Sequence, residues 1–118
     1  MSNLVRYNCP VEATISLIGG KYKAVILWRL INKTLRYNEL QKLIPQATPK
    51  MLAQQLRELA DDNLIVRTVY PVVPPKTEYA LSELGQSIIP VLNAMCGWGL
   101  NYMRGGRTQT DATARDAQ

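Results

Sequence analysis

The segment Thr48–Ala60 (TPKMLAQQLRELA) concentrates side chains that could contact the edges of nucleic-acid bases. Glutamine carboxamides pair with N6 and N7 of adenine, and lysine donates to guanine or to phosphate oxygens. The residues predicted to enter a major groove are Lys50, Met51, Gln54 and Gln55, with Arg57 further along meeting the phosphate backbone or anchoring the helix internally. A solvated helix surface has the same composition, so the flanking segments must decide between the two interpretations.

The segment must be a helix for those side chains to share a face. Thr48 is a good N-cap, and Pro49 at the first helical position loses no hydrogen bond. Leu52, Leu56 and Leu59 recur at helical spacing and predict one buried stripe. The polar residues point away from this stripe and are therefore available to a partner.

The neighbouring segments predict a winged helix-turn-helix. A short helix over Glu39–Ile44, capped by Asn38, precedes the turn before Thr48. Two strands, Leu64–Tyr70 and Thr77–Leu81, predict a hairpin whose tip is stiffened by three prolines. This order is typical of a winged helix, mostly α with a small β-hairpin (α+β). Phosphate contacts are expected from the start of the third helix and from the wing. The full set of candidate DNA-contacting residues is Arg36, Asn38, Thr48, Lys50, Met51, Gln54, Gln55, Arg57, Arg67 and Lys76.

Composition excludes several classes of function. The net charge is +5, and residues 1–60 hold nine Lys/Arg against three Asp/Glu. A phosphate-bearing partner is therefore plausible. The chain has no histidine and two cysteines, so no catalytic triad, metal site or cofactor is expected, and a reducing cytoplasm is the natural compartment. No apolar h-region follows Met1 and no apolar run reaches ~18 residues, so neither an export signal nor a membrane span is expected.

The terminal segments predict helices that join two subunits. The first starts at Pro10 and ends at the Gly19-Gly20 pair, and the last runs from Ser82 to about Met103 with a kink at Pro90. A last helix with so many apolar residues would expose a large apolar patch in a monomer, unless the first helix folds over it. The residues expected at the homodimer interface are Val11, Ile15, Ile88, Leu92, Met95, Trp98 and Tyr102. Residues 1–103 are predicted to form one domain, and 104–118, which lack large apolar residues, a disordered tail.

Cys9 is a candidate sensor of oxidants or electrophiles. It precedes Pro10 at a predicted helix N-terminus, where the positive end of the helix dipole favours a thiolate. The alternative is an inert, partly buried thiol at the edge of the dimer. Cys96, within the apolar last helix, is expected in the core or the subunit interface.

Several motifs together resemble the HxlR-type winged-helix transcriptional regulators of bacteria. They are CPVEATISLIGGKYKAVILWRL, RYNELQKLI, TPKMLAQQLREL, NLIVRTVYPVVPPKTEYALSELG and the Trp98-Gly99 pair, in unbroken order over residues 9–100. The resemblance implies a dimer that binds DNA through Thr48–Ala60, with a wing at Val69–Thr77 and, in some members, a sensing cysteine at the position of Cys9. The chain departs from the family pattern at Tyr22, usually Trp, at Asn63, usually Gly, and at Pro49 in the DNA helix.

The leading hypothesis is a dimeric regulator that binds an inverted repeat in double-stranded DNA, redox-responsive through Cys9. The alternatives are a winged-helix module that binds protein and a regulator that responds to a small ligand without thiol sensing. An aromatic or apolar effector would suit a cleft near Trp28, Met95, Trp98 and Tyr102, although such residues are common in cores. The effector, the operator and the direction of regulation stay open.

Overall fold

The computed structural model of the chain describes residues 7–106. They belong to two compact units, which divide between Ser87 and Ile88. The first unit contains α1 (Pro10–Ile18), α2 (Lys23–Arg29), β1 (Leu35–Arg36), α3 (Tyr37–Leu43), α4 (Pro49–Asp61), β2 (Ile65–Tyr70), β3 (Lys76–Leu81) and α5 (Glu83–Ser87). The second unit contains α6 (Ile89–Asn101) and a short π-helical turn over Tyr102–Gly106.

The fold of the first unit is a winged helix. Its antiparallel sheet has the strand order β1-β3-β2. The register pairs Leu35 with Tyr79 and Ile65 with Leu81, so the short β1 closes the sheet beside α3. Helices α3 and α4 form the helix-turn-helix, and the β2–β3 hairpin is the wing. The predicted fold class, mostly α with a small sheet, is confirmed.

Helix α4 forms for the reasons that its sequence predicts. The Thr48 hydroxyl accepts a hydrogen bond from the Met51 backbone N–H at 3.1 Å, which satisfies one of the free donors of the first turn. Leu52, Leu56 and Leu59 are buried and hold the helix on the core. The helix ends before Asn63, which adopts the left-handed conformation (φ 63°) that asparagine tolerates.

Two helix boundaries differ from the prediction. Helix α3 begins at Tyr37 because the Arg36 backbone N–H donates to the Glu39 carboxylate at 2.8 Å, so Asn38 lies inside the first turn and is not the cap. The predicted last helix is two helices, since Pro90 lies in the first turn of α6 and the helix is interrupted at Ile88. Residues 104–106 of the predicted tail belong to the π-helical turn, and the rest of the tail lies outside the described residues. The predicted domain boundary at residue 103 stays a prediction.

Candidate nucleic-acid interface

The outward face of α4 presents a cationic and amide surface. Lys50, Gln54 and Arg57 are exposed, and Met51 is half-buried at the edge of this face. These side chains lie on the side of the helix opposite its buried leucines, as the 100° rotation per residue requires. The structure therefore leaves them accessible to a partner.

Gln55 does not belong to that surface, and its predicted role as a base reader is wrong. Its side chain is 9% exposed, and its carboxamide oxygen accepts a hydrogen bond from the Tyr22 backbone N–H at 3.0 Å. A carboxamide committed to a buried backbone donor cannot pair with a base. Tyr22 is itself buried, and its hydroxyl donates to the Gln46 carbonyl at 3.1 Å in the turn of the helix-turn-helix. Tyr22 thus ties the start of α2 to that turn and to α4.

A chain of polar contacts holds the orientation of Gln54. Its Nε2 donates to Glu58 Oε2 at 3.2 Å, and Glu58 Oε1 lies 2.8 Å from the Nζ of Lys23 on α2. The hydrogen bond from Lys23, followed by the one from Gln54, lowers the pKa of Glu58 below its ordinary value. Among residues 7–106 the carbonyl oxygen and the second N–H of Gln54 have no hydrogen-bond partner, and these are the two groups that adenine recognition needs.

The start of α3 presents further polar side chains near the start of α4. Arg36, Asn38 and Thr48 are exposed, and their predicted contacts with DNA stay predictions. The Tyr37 hydroxyl donates to the Pro49 carbonyl at 3.0 Å and so fixes the two helices to each other. Sequence reasoning missed this tyrosine, although it is the second residue of the RYNELQKLI segment.

The wing has charged residues at the ends of its strands, next to the turn, and an apolar tip. Lys76 Nζ lies 3.4 Å from Glu78 Oε2 and 5.0 Å from the centre of the Tyr70 ring. The Tyr70 hydroxyl donates to Glu78 Oε1 at 3.0 Å, and this bond raises the pKa of Tyr70. Lys76 is therefore partly neutralised, whereas no salt bridge to Lys50 was found within residues 7–106. At the tip, Val73 is 98% exposed.

Arg67 lies away from the tip of the wing, in a cleft that it shares with Arg57. This cleft, with a volume of about 420 Å³, is bounded by α4 and the sheet. Asp61, Tyr37 and Tyr79 also line it. The structure therefore brings together two arginines that the sequence separates into helix and strand.

Cys9 lies at the N-cap of α1, where it was predicted. Its thiol is exposed and free, and its carbonyl accepts a hydrogen bond from Ala13 N at 3.1 Å. Cys96 is also exposed and free, so its predicted burial in the core is wrong for the single chain, whereas a place in a subunit interface stays a prediction. Neither cysteine forms a disulfide within the described residues.

Both terminal helices expose apolar side chains. On α1, Val11 and Ile15 are exposed. On α6, Met95 is exposed and Trp98 is 71% exposed, and Trp98 stacks on Tyr102 with ring centroids 5.3 Å apart. Ile88 is half-buried. Leu92 is 2% exposed in the single chain, and its place in a subunit interface stays a prediction.

The described part of the chain shows no cluster of three His, Cys, Asp or Glu residues that could hold a metal ion. Within the same residues no helix has both the length and the apolar character to cross a bilayer.

The chain is similar to known regulators over most of its length. A family model described as HxlR-like helix-turn-helix matches residues 17–106. The uncharacterised HTH-type transcriptional regulator YtcD of Bacillus subtilis is 52% identical over 98 residues, which cover 83% of this chain and 78% of that protein. The solved structure of the redox regulator HypR in its oxidised form superposes with a TM-score of 0.76 at 43% identity, covering 79% of this chain and 96% of HypR. The reduced form of the regulator YodB from Bacillus subtilis superposes with a TM-score of 0.67 at 33% identity, covering 78% of this chain and 91% of YodB.

These similarities agree with the winged helix described above, in which α3 and α4 form the helix-turn-helix and the β2–β3 hairpin forms the wing. The family match spans α2 to α6 and includes every candidate DNA-contacting residue. The chain belongs to the HxlR-like helix-turn-helix family of transcriptional regulators.

Proposed function

We propose that this protein is a homodimeric regulator that binds an inverted repeat in double-stranded DNA in the cytoplasm. The observation that carries the proposal is the exposed cationic face of α4, directly after the turn of the helix-turn-helix. A helix in this position enters the major groove in helix-turn-helix proteins, with its N-terminal residues at the base edges.

Within this proposal, Lys50 and Gln54 read bases and Met51 contacts the groove at the edge of the helix. Gln54 reads adenine with its free carbonyl oxygen and N–H, held in position by Glu58. Phosphates are contacted by side chains at the start of α3 and α4 and by those of the wing, which position the helix without specifying sequence. These phosphate-contacting residues are Arg36, Asn38, Thr48, Arg57, Arg67 and Lys76.

The test compares the double variant Lys50→Ala/Gln54→Ala with a matched control, Lys33→Ala/Gln86→Ala, whose side chains are also exposed but lie outside the proposed surface. An operator is first selected from fragments of the source genome, and binding is measured by fluorescence anisotropy. Loss of two base contacts weakens operator binding by ~2–6 kcal/mol, roughly 30-fold to more than 10⁴-fold. Unchanged affinity of the first variant, or equal losses in both, would contradict base reading by α4.

The homodimer is supported by the exposed apolar residues on each terminal helix, since contiguous apolar patches on soluble chains mark interaction sites. Two copies of α4 spaced by one DNA turn, ~34 Å, would match an inverted repeat. A winged-helix module that binds protein predicts no selected DNA at all, so the genomic selection also distinguishes this alternative.

We further propose that Cys9 makes the regulator responsive to oxidants. The exposed thiol at the N-cap of α1 supports this proposal, and HypR, a redox regulator, is among the similar structures. Peroxide converts the thiolate to a sulfenic acid and releases hydroxide. Peroxide should therefore weaken operator binding by the wild type and leave Cys9→Ser unaffected. Equal loss of binding in both proteins would refute sensing by Cys9. The alternative hypothesis, a regulator that responds to a small ligand, would then be favoured.

A further inference from the structure

The cleft between α4 and the sheet has the size of a small-molecule site. Its volume of about 420 Å³ falls within the range of ~300–1,000 Å³ that is typical of ligand pockets. Residues of three different segments line it, with Tyr37 at the start of α3, Arg57 on α4, and Arg67 and Tyr79 on the sheet.

The charges in this cleft favour an anion. Arg57 and Arg67 make no salt bridge or side-chain hydrogen bond to any residue within 7–106. Asp61 is the one carboxylate among the lining residues, so two guanidinium groups against one carboxylate leave an excess of +1. Guanidinium groups present paired N–H donors that match the two oxygens of a carboxylate.

The apolar walls of the cleft favour an anion that carries a planar apolar group. Ala53 and the buried Leu56 line the α4 side, and the buried Tyr79 lines the sheet side. The Tyr37 hydroxyl is already committed to the Pro49 carbonyl, so this tyrosine offers the cleft mainly its ring. A bare phosphate would bury none of this apolar surface, whereas an aromatic ring would.

We propose that this cleft binds a planar organic anion, an aromatic carboxylate, with its carboxylate between Arg57 and Arg67 and its ring against Ala53, Leu56 and Tyr79. One consequence rests on the proposed function. Because the same two arginines are assigned there to DNA phosphates, the bound carboxylate removes them from the backbone and lowers the affinity for the operator.

The site is tested without DNA, so its outcome does not depend on DNA binding. The probe is 2-naphthoate, and its neutral amide, 2-naphthamide, is the control for shape. Titration of the full-length protein is followed by the Nε–H resonances of the arginines in nitrogen-15 NMR spectra. Saturable shifts at Arg57 and Arg67, with the amide binding at least about tenfold more weakly, are expected because the carboxylate supplies the charge-assisted hydrogen bonds.

Variants assign that binding to the cleft. Arg67→Gln and Arg57→Gln should each weaken naphthoate binding by about tenfold, whereas Arg29→Gln, on an exposed arginine of α2 outside the cleft, should not. Circular dichroism confirms that each variant is folded, and having two variants on different elements keeps the test valid if one unfolds.

Three results would overturn the proposal. They are no saturable binding up to about 10 mM probe, equal binding of acid and amide, and shifts of the two arginine resonances on addition of DNA but not of naphthoate. The third result would assign the arginines to phosphate contacts alone. If naphthoate binds the cleft, its effect on operator affinity is then measured separately, and the absence of any DNA binding would refute the proposed function and not the site.

Discussion

Replacing Gln55 distinguishes a structural carboxamide from one that reads DNA. The Gln55 oxygen is the acceptor for the buried Tyr22 N–H, and the carboxamide lies against Gly20, where an added Cβ would come within 2.8 Å of Gln55 Oε1. Gln55→Met keeps the length of the side chain but removes the acceptor. An unsatisfied buried donor costs about 1–3 kcal/mol, so we expect this loss in the free energy of unfolding.

Gln55→Ala also removes buried methylene groups and leaves a cavity. We therefore expect it to lower the free energy of unfolding by about 2–4 kcal/mol. For a chain of this size about 4 °C of melting temperature corresponds to 1 kcal/mol, so the midpoint should fall by roughly 8–16 °C. Gly20→Ala should also destabilise the fold, since its Cβ displaces the carboxamide. The neighbouring Gln54→Ala is the matched control, because its side chain is exposed and its stability should stay within about 0.5 kcal/mol of the wild type.

The assay is urea unfolding followed by circular dichroism, at one fixed protein concentration because dimerisation would make stability depend on it. Operator binding is measured under conditions in which every variant is folded. A Gln55→Met protein as stable as the wild type would refute the structural role. So would a Gln55→Ala protein of unchanged stability that binds DNA more weakly than Gln54→Ala does.

Two further predictions concern charge and assembly. Since hydrogen bonding from Lys23 lowers the pKa of Glu58, the stability that this contact provides is complete above the ordinary pKa of 4.5 and is lost as the pH falls through the lowered value. Urea unfolding should therefore show Glu58→Gln less stable than the wild type at neutral pH and equal to it in acid, and a difference independent of pH would contradict this. Trp98→Ala should weaken a homodimer by about 2 kcal/mol or more, roughly 30-fold in sedimentation equilibrium, because a large exposed aromatic residue is a typical interface anchor. Asn93→Ala, on another side of α6, is the control, and equal dissociation constants for the two variants would exclude Trp98 from the interface.

Local signals in the sequence were sufficient for the main elements of the winged helix. The cap at Thr48, the proline after it and the leucine stripe define α4 because each acts within one or two turns of the chain. The prolines between β2 and β3 interrupt the strands in the same local manner, and Asn63 marks the end of α4 by its tolerance of a positive φ. The start of α3 was predicted two residues too late, because the Glu39 carboxylate accepts a hydrogen bond from the Arg36 backbone N–H and makes Arg36 the N-cap.

Residue roles within α4 depended on what packs beside it. Gln54 and Gln55 are adjacent and chemically identical, and only the rotation of 100° between them separates a solvent-facing carboxamide from a buried one. That Gln55 meets a free N–H at Tyr22, 33 residues earlier, is a consequence of how α2 packs on α4. No local pattern encodes such a partner.

The sequence by itself therefore determined the helix that faces outward, its basic and amide character, and the hairpin that follows it. Tertiary structure decided which of the two glutamines is available, and it joined Arg57 and Arg67 in one cleft by folding the hairpin back beside α4. The physical reason is that caps, turns and amphipathic stripes arise from neighbours along the chain. A binding site, in contrast, is formed by side chains that only the packing of separate elements brings together.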